Sequence, residues 1–268
     1  MKKIIIATDY SAEAENALVY AARAAAEKQY ELVLFSLQNA SIHVLNARLP
    51  ASSMTAHLAA KEEHLKESAE RVKREFGIEA TSYFATGVFF DELERCIVNT
   101  GADMVVMGMA DKSLEQDMMG NTTTAAIHRL KTPILAVPIG ASFNGIQHIV
   151  FACDISRGVH KRVLGKVRDI AAGFNAKVEI FNVTHAISDL AQNNRKDIDE
   201  SMAGMAYYYN DVASDDVIGA IKEEIIARKA DLLIMVPYKY GFWSSLVHKS
   251  KTRIMASGNS IPLLSLHL

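Results

Sequence analysis

Cysteine is nearly absent from this sequence: among its 268 residues there are only Cys96 and Cys153. They lie far apart, in stretches that read as a helix and a strand end, where small buried thiols are common. A disulfide framework and a thiolate metal site are not expected, which fits a reducing, cytoplasmic setting. An excess of either charge is missing as well. Lys and Arg number 29 against 31 Asp and Glu, so nothing is in surplus to neutralise a phosphate backbone, and nucleic acid is not an expected partner. No run of about 18 apolar residues occurs, so no membrane span is expected. The opening MKKIIIATDY sets two lysines before an apolar run, but Asp9 interrupts it and no small-residue cleavage site follows, unlike a secretory signal.

Catalytic signatures are missing too. There is no G-x-S-x-G elbow, no G-x-x-x-x-G-K-S/T loop and no cluster of His, Cys and carboxylate. His57 and His64 share a helix face but lack further ligands and read as surface. An enzyme is not expected.

What is present is apolar volume, regular alternation and repetition. Half the residues are apolar, enough for two cores, and the length suggests two domains at roughly 150 residues each. Lys3 to Thr8 is a β-branched run that suits a strand covered on both faces. Ser11 then caps a helix whose Ala14, Leu18, Ala21, Ala22 and Ala25 form a small-residue stripe. Leu32 to Leu37 reads as a second strand and Asn39 to Ser53 as a loop. A long charged helix follows, with Leu58, Leu65, Ala69, Val72 and Phe76 on one face, ending at Gly77. Thr81 to Ala85 is a third strand, and Leu93, Cys96 and Ile97 belong to a helix stopping at Gly101. Met104 to Met107 is a fourth strand, then come a loop, a helix from about Thr122 to Leu130, and a last strand, Pro133 to Val137. Such alternation predicts a parallel sheet with right-handed crossovers.

The pattern then starts again. HIVFACDIS, from His148, repeats KIIIATDYS, from Lys3, with Asp154 in the place of Asp9. KADLLIMVP, from Lys229, echoes GADMVVMGM, from Gly101, and the endings TPILAVP and IPLLSL correspond. The duplicated α/β domains fall at residues 1–140 and 147–268, joined by a turn-rich ASFNG stretch.

The candidate binding stretch is Met104 to Thr124, where a strand runs into Gly108 and a second glycine, Gly120, opens a helix. Helix-opening N–H groups lack internal partners and favour an anion. The second copy keeps the strand but has Val236 and Pro237 in place of the glycine turn, so the glycines of the first copy read as serving a ligand rather than the fold. Asp154, kept where the loop is lost, assigns Asp9 instead to the turn into the next helix. Phe242, Trp243, His248, Lys249, Lys251 and Arg253 form a basic, aromatic stretch in that degenerate second site, read as a solvated helix face beside buried aromatics.

The ATDYS start, the small-residue first helix, ADMVVMG, the spaced glycine opening a helix and the closing TPILAVP resemble a universal stress protein domain, and two copies resemble the tandem form of that family. The resemblance implies two tandem doubly wound α/β domains, each with a five-stranded parallel sheet flanked by helices, packed as a pseudo-dimer. It also implies an adenine-nucleotide site, for ATP or AMP with or without Mg²⁺, on a loop of the form G-x2-G-x9-G-S/T. Here Gly108 and Gly120 match the first and last glycines, Asp111 replaces the middle one, the loop is one residue short, and Asn121 stands where Ser or Thr belongs. Asn121, Thr122, Thr123 and Thr124 still offer hydrogen-bonding groups. The adenine side resembles Ala7, Asp9 and Leu37, with Met107 in the pocket wall. Asp111, Glu115 and Asp117 outweigh Lys112, so a bare triphosphate is less comfortable there than AMP or a metal-bridged nucleotide. The resulting expectation is a cytoplasmic stress-response or regulatory protein with one nucleotide site, in the first domain. A nucleotide-free module acting through its domain surfaces on an unnamed protein partner is the alternative. Slow ATP hydrolysis and association of two chains stay open.

Overall fold

Backbone hydrogen bonding in the computed structural model, which describes residues 2–38, 51–109, 122–155, 158–184, 189–237 and 261–267, follows the expected alternation. By internal contacts the chain divides into two units, Met1–Gly108 and Met109–Leu268.

The first unit contains β1 (Lys3–Ala7), α1 (Ala12–Lys28), β2 (Glu31–Gln38), α2 (Ala51–Phe76), β3 (Ala80–Thr86), α3 (Phe89–Thr100) and β4 (Met104–Met109), whose last residue falls across the boundary. Its strands run parallel in the order β3-β2-β1-β4, with Ala7 opposite Phe35 on one side and Met107 on the other. The β2 sequence ELVLFSLQ is buried from Leu32 to Ser36, a continuous run typical of a strand covered on both faces. In α1 the alanine stripe is real. Ala14, Ala17, Ala21, Ala22 and Ala25 are all buried, and side chains this small let a helix lie close against its neighbours.

Helix α2 buries only Leu65, Ala69 and Val72 among its described side chains and is otherwise laced with ion pairs such as Lys66–Glu62. Arg71 reaches across to Glu15 of α1 at 2.7 Å. The helix begins at Ala51 rather than after Ser53, because Ala51, Ser52 and Ser53 carry no periodic apolar signal that would distinguish helix from loop. Residues 39–50 lie outside the described ones.

The second unit contains α4 (Thr122–Arg129), β5 (Ile134–Pro138), β6 (His148–Ala152), α5 (Lys161–Phe174), β7 (Lys177–Thr184), α6 (Asp189–Ser201), β8 (Tyr207–Ala213), α7 (Val217–Arg228), β9 (Leu232–Met235) and β10 (Leu263–Ser265). Its strand order is β5-β10-β9-β6-β7-β8. The five strands from β10 to β8 are parallel, the expected sheet of the second repeat. β5, the last strand of the first repeat, pairs antiparallel with β10, Leu135 opposite Leu264. That pairing ties β5 to the second unit, ahead of the repeat joint, which is itself a turn-rich stretch with Gly140 and Gly145 at φ 83° and 91°. The repeat is exact in register: Lys3 lies opposite Glu31 as His148 lies opposite Lys177.

Phe151, Ile180, Phe181, Leu233 and Ile234 are fully buried at the centre of this sheet. Each such side chain contributes about 1.5–3 kcal/mol. Two polar residues, Glu179 and Asn182, are buried in β7 among them. Among the described residues no helix is long and apolar enough to cross a membrane.

Candidate functional site

In the first unit, β1 has β2 on one side and β4 on the other, so the chain leaving β1 crosses to β2 while β4 returns on the opposite flank. This is the topological switch point at which doubly wound sheets bind ligands, beyond the carboxyl ends of the strands. Ala7 and Met107 face each other there and are buried. Leu37, two residues beyond Phe35 on β2, is half-buried and lies opposite Ala85.

The turn from β1 into α1 is stitched by its own side chains. The amide of Tyr10 donates to Thr8 Oγ1 at 3.1 Å, that of Ser11 to Asp9 Oδ1 at 3.0 Å, and that of Ala14 to Ser11 Oγ at 3.2 Å. Asp9, itself exposed, thus closes the turn, as its retained copy Asp154 suggested. Tyr10 takes φ 66°, a left-handed conformation that a bulky aromatic rarely adopts. Its ring packs on His64 of α2, centroids 4.7 Å apart, with Lys61 Nζ 5.6 Å from the ring centre. Burial raises its hydroxyl pKa, against the pull of Ser36. His64 is exposed, as expected, yet engaged.

Gly108 corrects the sequence argument about the loop. A Cβ at Gly108 would lie 2.4 Å from the carbonyl carbon and oxygen of Glu13 and 2.8 Å from the Ala14 amide nitrogen. The fold requires this glycine, because α1 starts directly after the Asp9 turn and its first residues press on the end of β4. The second repeat escapes the requirement by a longer connection. β6 ends at Ala152 but α5 begins only at Lys161, and Val236, standing where Gly108 stands, is buried without conflict.

The second repeat fills its strand ends with its own side chains. Ile155, fully buried, donates its amide to Asn182 Oδ1 at 3.1 Å and accepts at its carbonyl from Asn194 Nδ2 at 2.8 Å. Asn182 Nδ2 donates to Asp211 Oδ1 at 2.8 Å, and Asp211 also pairs with Arg195. Arg195 lies 4.7 Å over the Tyr209 ring, and the hydroxyls of Tyr207 and Tyr209 both donate to Asp199. Sequence reasoning missed this network. Its one available signal was Asn182, a polar residue inside the apolar strand IFNV.

Of the remaining expected residues, Thr122 and Thr123 begin α4, Thr122 exposed and Thr123 buried. Asp111, Gly120 and Asn121 lie outside the described residues, as do Met118, Met119 and the basic, aromatic stretch from Phe242 to Arg253. Among the described residues no group of three His, Cys, Asp or Glu is placed to hold a metal. Ala7 and Met107 are small or apolar, while Asp9 and Glu13 set negative charge at the start of α1, where Glu15 is paired with Arg71.

The chain is similar in fold to a universal stress protein from Archaeoglobus fulgidus, with TM-score 0.76, 15% identity, and coverage of 99% of this chain and 96% of that one. A putative universal stress protein from Pseudomonas aeruginosa aligns with TM-score 0.62 and 13% identity over 100% of this chain and 93% of that chain. An Arabidopsis thaliana universal stress protein family member, solved with AMP bound, aligns over 53% of this chain and 94% of that chain with TM-score 0.38 and 15% identity. No curated protein matches significantly. The model of the universal stress protein family matches residues 1–138, and the chain belongs to that family.

Proposed function

We propose that this chain is a stress-response regulator that binds one adenine nucleotide at the strand ends of its first repeat, and that it binds rather than turns over its ligand. The observation that carries the reading is the switch point between β1 and β4, where Ala7, Met107 and Gly108 meet beside the exposed Asp9. Asp9 keeps one carboxylate oxygen for its turn and has a second for a base or ribose. Leu37 offers apolar surface at the end of β2. Phosphates would be met by Gly120, Asn121, Thr122 and Thr123, as the sequence pattern suggests.

The choice among nucleotides follows from charge. The carboxylates of Asp9 and Glu13 favour AMP, or a nucleotide whose phosphates are neutralised by Mg²⁺, over free ATP. Isothermal titration of AMP, ADP and ATP, with and without Mg²⁺, tests this. Saturable heat that Asp9→Ala weakens and Asp9→Asn largely keeps supports the proposal. Absence of heat and of any thermal shift at millimolar nucleotide overturns it.

A second reading, a nucleotide-free interaction module, is favoured by the second repeat, whose strand ends are occupied by Ile155, Asn182 and Asn194. The mass of any small molecule released on denaturing freshly purified protein separates the two. A nucleotide supports the first reading.

A further inference from the structure

Set residue against residue, the two repeats place Ile155 where Tyr10 stands, each directly after the strand-end aspartate. Both anchor the turn that leaves the first strand, by different means. Ile155 is fully buried and uses its backbone, donating to Asn182 of β7 at 3.1 Å and accepting from Asn194 of α6 at 2.8 Å. Tyr10 is half-buried and uses its ring. That ring packs on His64 of α2 with centroids 4.7 Å apart, and Lys61 Nζ, one turn earlier on the same helix, lies 5.6 Å from its centre. The Tyr10 hydroxyl is enclosed and completes no hydrogen bond, so the ring is the part the anchor uses.

Sheet register makes the two anchors equivalent. Phe35 lies opposite Ala7 as Phe181 lies opposite Ala152, so Ser36 and Asn182 hold the same position in their repeats, and both are buried. Asn182 takes the Ile155 amide. The Tyr10 amide goes instead to Thr8 Oγ1, inside its own turn, at 3.1 Å. What ties Tyr10 to the next helix of its repeat is therefore its side chain.

This anchor carries strain. Tyr10 holds φ 66°, in the left-handed region, and Ile155 does not. Strain of this kind persists only where the surroundings hold it, and it gathers at ligand sites. Glycine or asparagine would take the same backbone more easily, but neither has a ring to lodge against α2. The consequence falls on Asp9, the preceding residue. Its Oδ1 accepts from the Ser11 amide across the Tyr10 turn, at 3.0 Å, while the side chain stays exposed.

We propose that Tyr10 is a positioning residue of the first repeat's strand-end site: its ring, lodged against His64 and Lys61 of α2, fixes the left-handed turn that presents the Asp9 carboxylate to the ligand. The role rests on the nucleotide reading for what Asp9 meets, and on the turn geometry alone for how Asp9 is held.

The test uses the full chain and single variants. Tyr10→Phe keeps the ring, Tyr10→Asn tolerates the left-handed backbone without a ring, and His64→Ala, at an exposed position, removes the other half of the stack. Backbone amide relaxation by NMR, without ligand, reads the turn. The Asp9 and Ser11 amides should be as ordered as those of α1 in the parent and in Tyr10→Phe, mobile in Tyr10→Asn, and partly so in His64→Ala. Isothermal titration with AMP reads the consequence. Tyr10→Asn should weaken binding about fivefold or more, while Tyr10→Phe binds as the parent does. In an Asp9→Ala background the same Tyr10→Asn change should have no further effect, because Tyr10 acts through Asp9. The proposal is overturned if Tyr10→Asn leaves the turn as ordered as in the parent, if it weakens AMP equally with and without the Asp9 carboxylate, or if it lowers the unfolding midpoint and leaves the affinity unchanged. If the parent gives no heat with AMP, the nucleotide reading fails, and the relaxation comparison by itself decides whether Tyr10 holds Asp9.

Discussion

Glu13 presents its carbonyl to Gly108 so closely that a Cβ there would stand 2.4 Å from both carbonyl atoms. Backbone cannot move aside as a flexible side chain can. Gly108→Ala should therefore destabilise the chain by about 1–3 kcal/mol, the usual cost of overpacking. Chemical denaturation measures this, and an unchanged midpoint would show that α1 does not press on β4. Loss of nucleotide binding in this variant would report the displaced α1, so Gly108 is a poor probe of the ligand.

The opposite sign is expected at Gly165, inside α5, where a Cβ meets nothing within 4 Å. Its backbone is helical, and alanine restricts the unfolded chain without straining the folded one. Gly165→Ala should stabilise by roughly 0.5–1 kcal/mol. A lower unfolding midpoint would contradict the open space around this position.

Glu179 gives the chain a dependence on pH. Its carboxylate is buried in β7, accepting from Asn210 at 2.8 Å and Tyr208 at 2.9 Å, with Arg228 at 3.4 Å. Burial raises its pKa above the ordinary value, and Glu224 adds to this against the hydrogen bonds from Asn210 and Tyr208. The folded protein thus holds this proton more tightly than the unfolded chain. The resulting stability is complete below the unfolded Glu value of about 4.3 and is lost as pH rises through the folded value. Measured across the weakly acidic range, the parent should lose stability relative to Glu179→Gln as pH increases. A pH-independent difference would sink the argument.

The two thiols should be silent in the native state. Burial pushes Cys96 up to about 12, against a hydrogen bond with Thr100, and raises Cys153 further. At mildly alkaline pH almost no thiolate is present to attack a thiol reagent. Labelling should be slow in native buffer and complete, two per chain, in denaturant. Rapid native labelling of either residue would show that its helix or strand end opens locally.

Periodicity made most of the fold legible. Strands such as Lys3–Ala7 and Met104–Met109 are continuous apolar runs, and α1 and α3 show clear faces. No element is read from the sequence where α6, β8 and α7 lie. TYR-rich β8, YYYNDVA, alternates only weakly because its tyrosines are drawn to both sides by Asp199 and Glu179. For the site, Ala7, Asp9, Met107 and Gly108 were legible as a strand end and a turn, but their roles were not.

Sequence by itself determined the duplication, the α/β class, the element order of the first repeat and the turn at Asp9, because these depend on local preference and on the burial period along the chain. Tertiary structure decided what a linear pattern cannot encode. That Gly108 is demanded by Glu13, that Val236 is tolerated because α5 starts late, and that Ile155 is pinned by Asn182 and Asn194 are distances between segments remote in sequence.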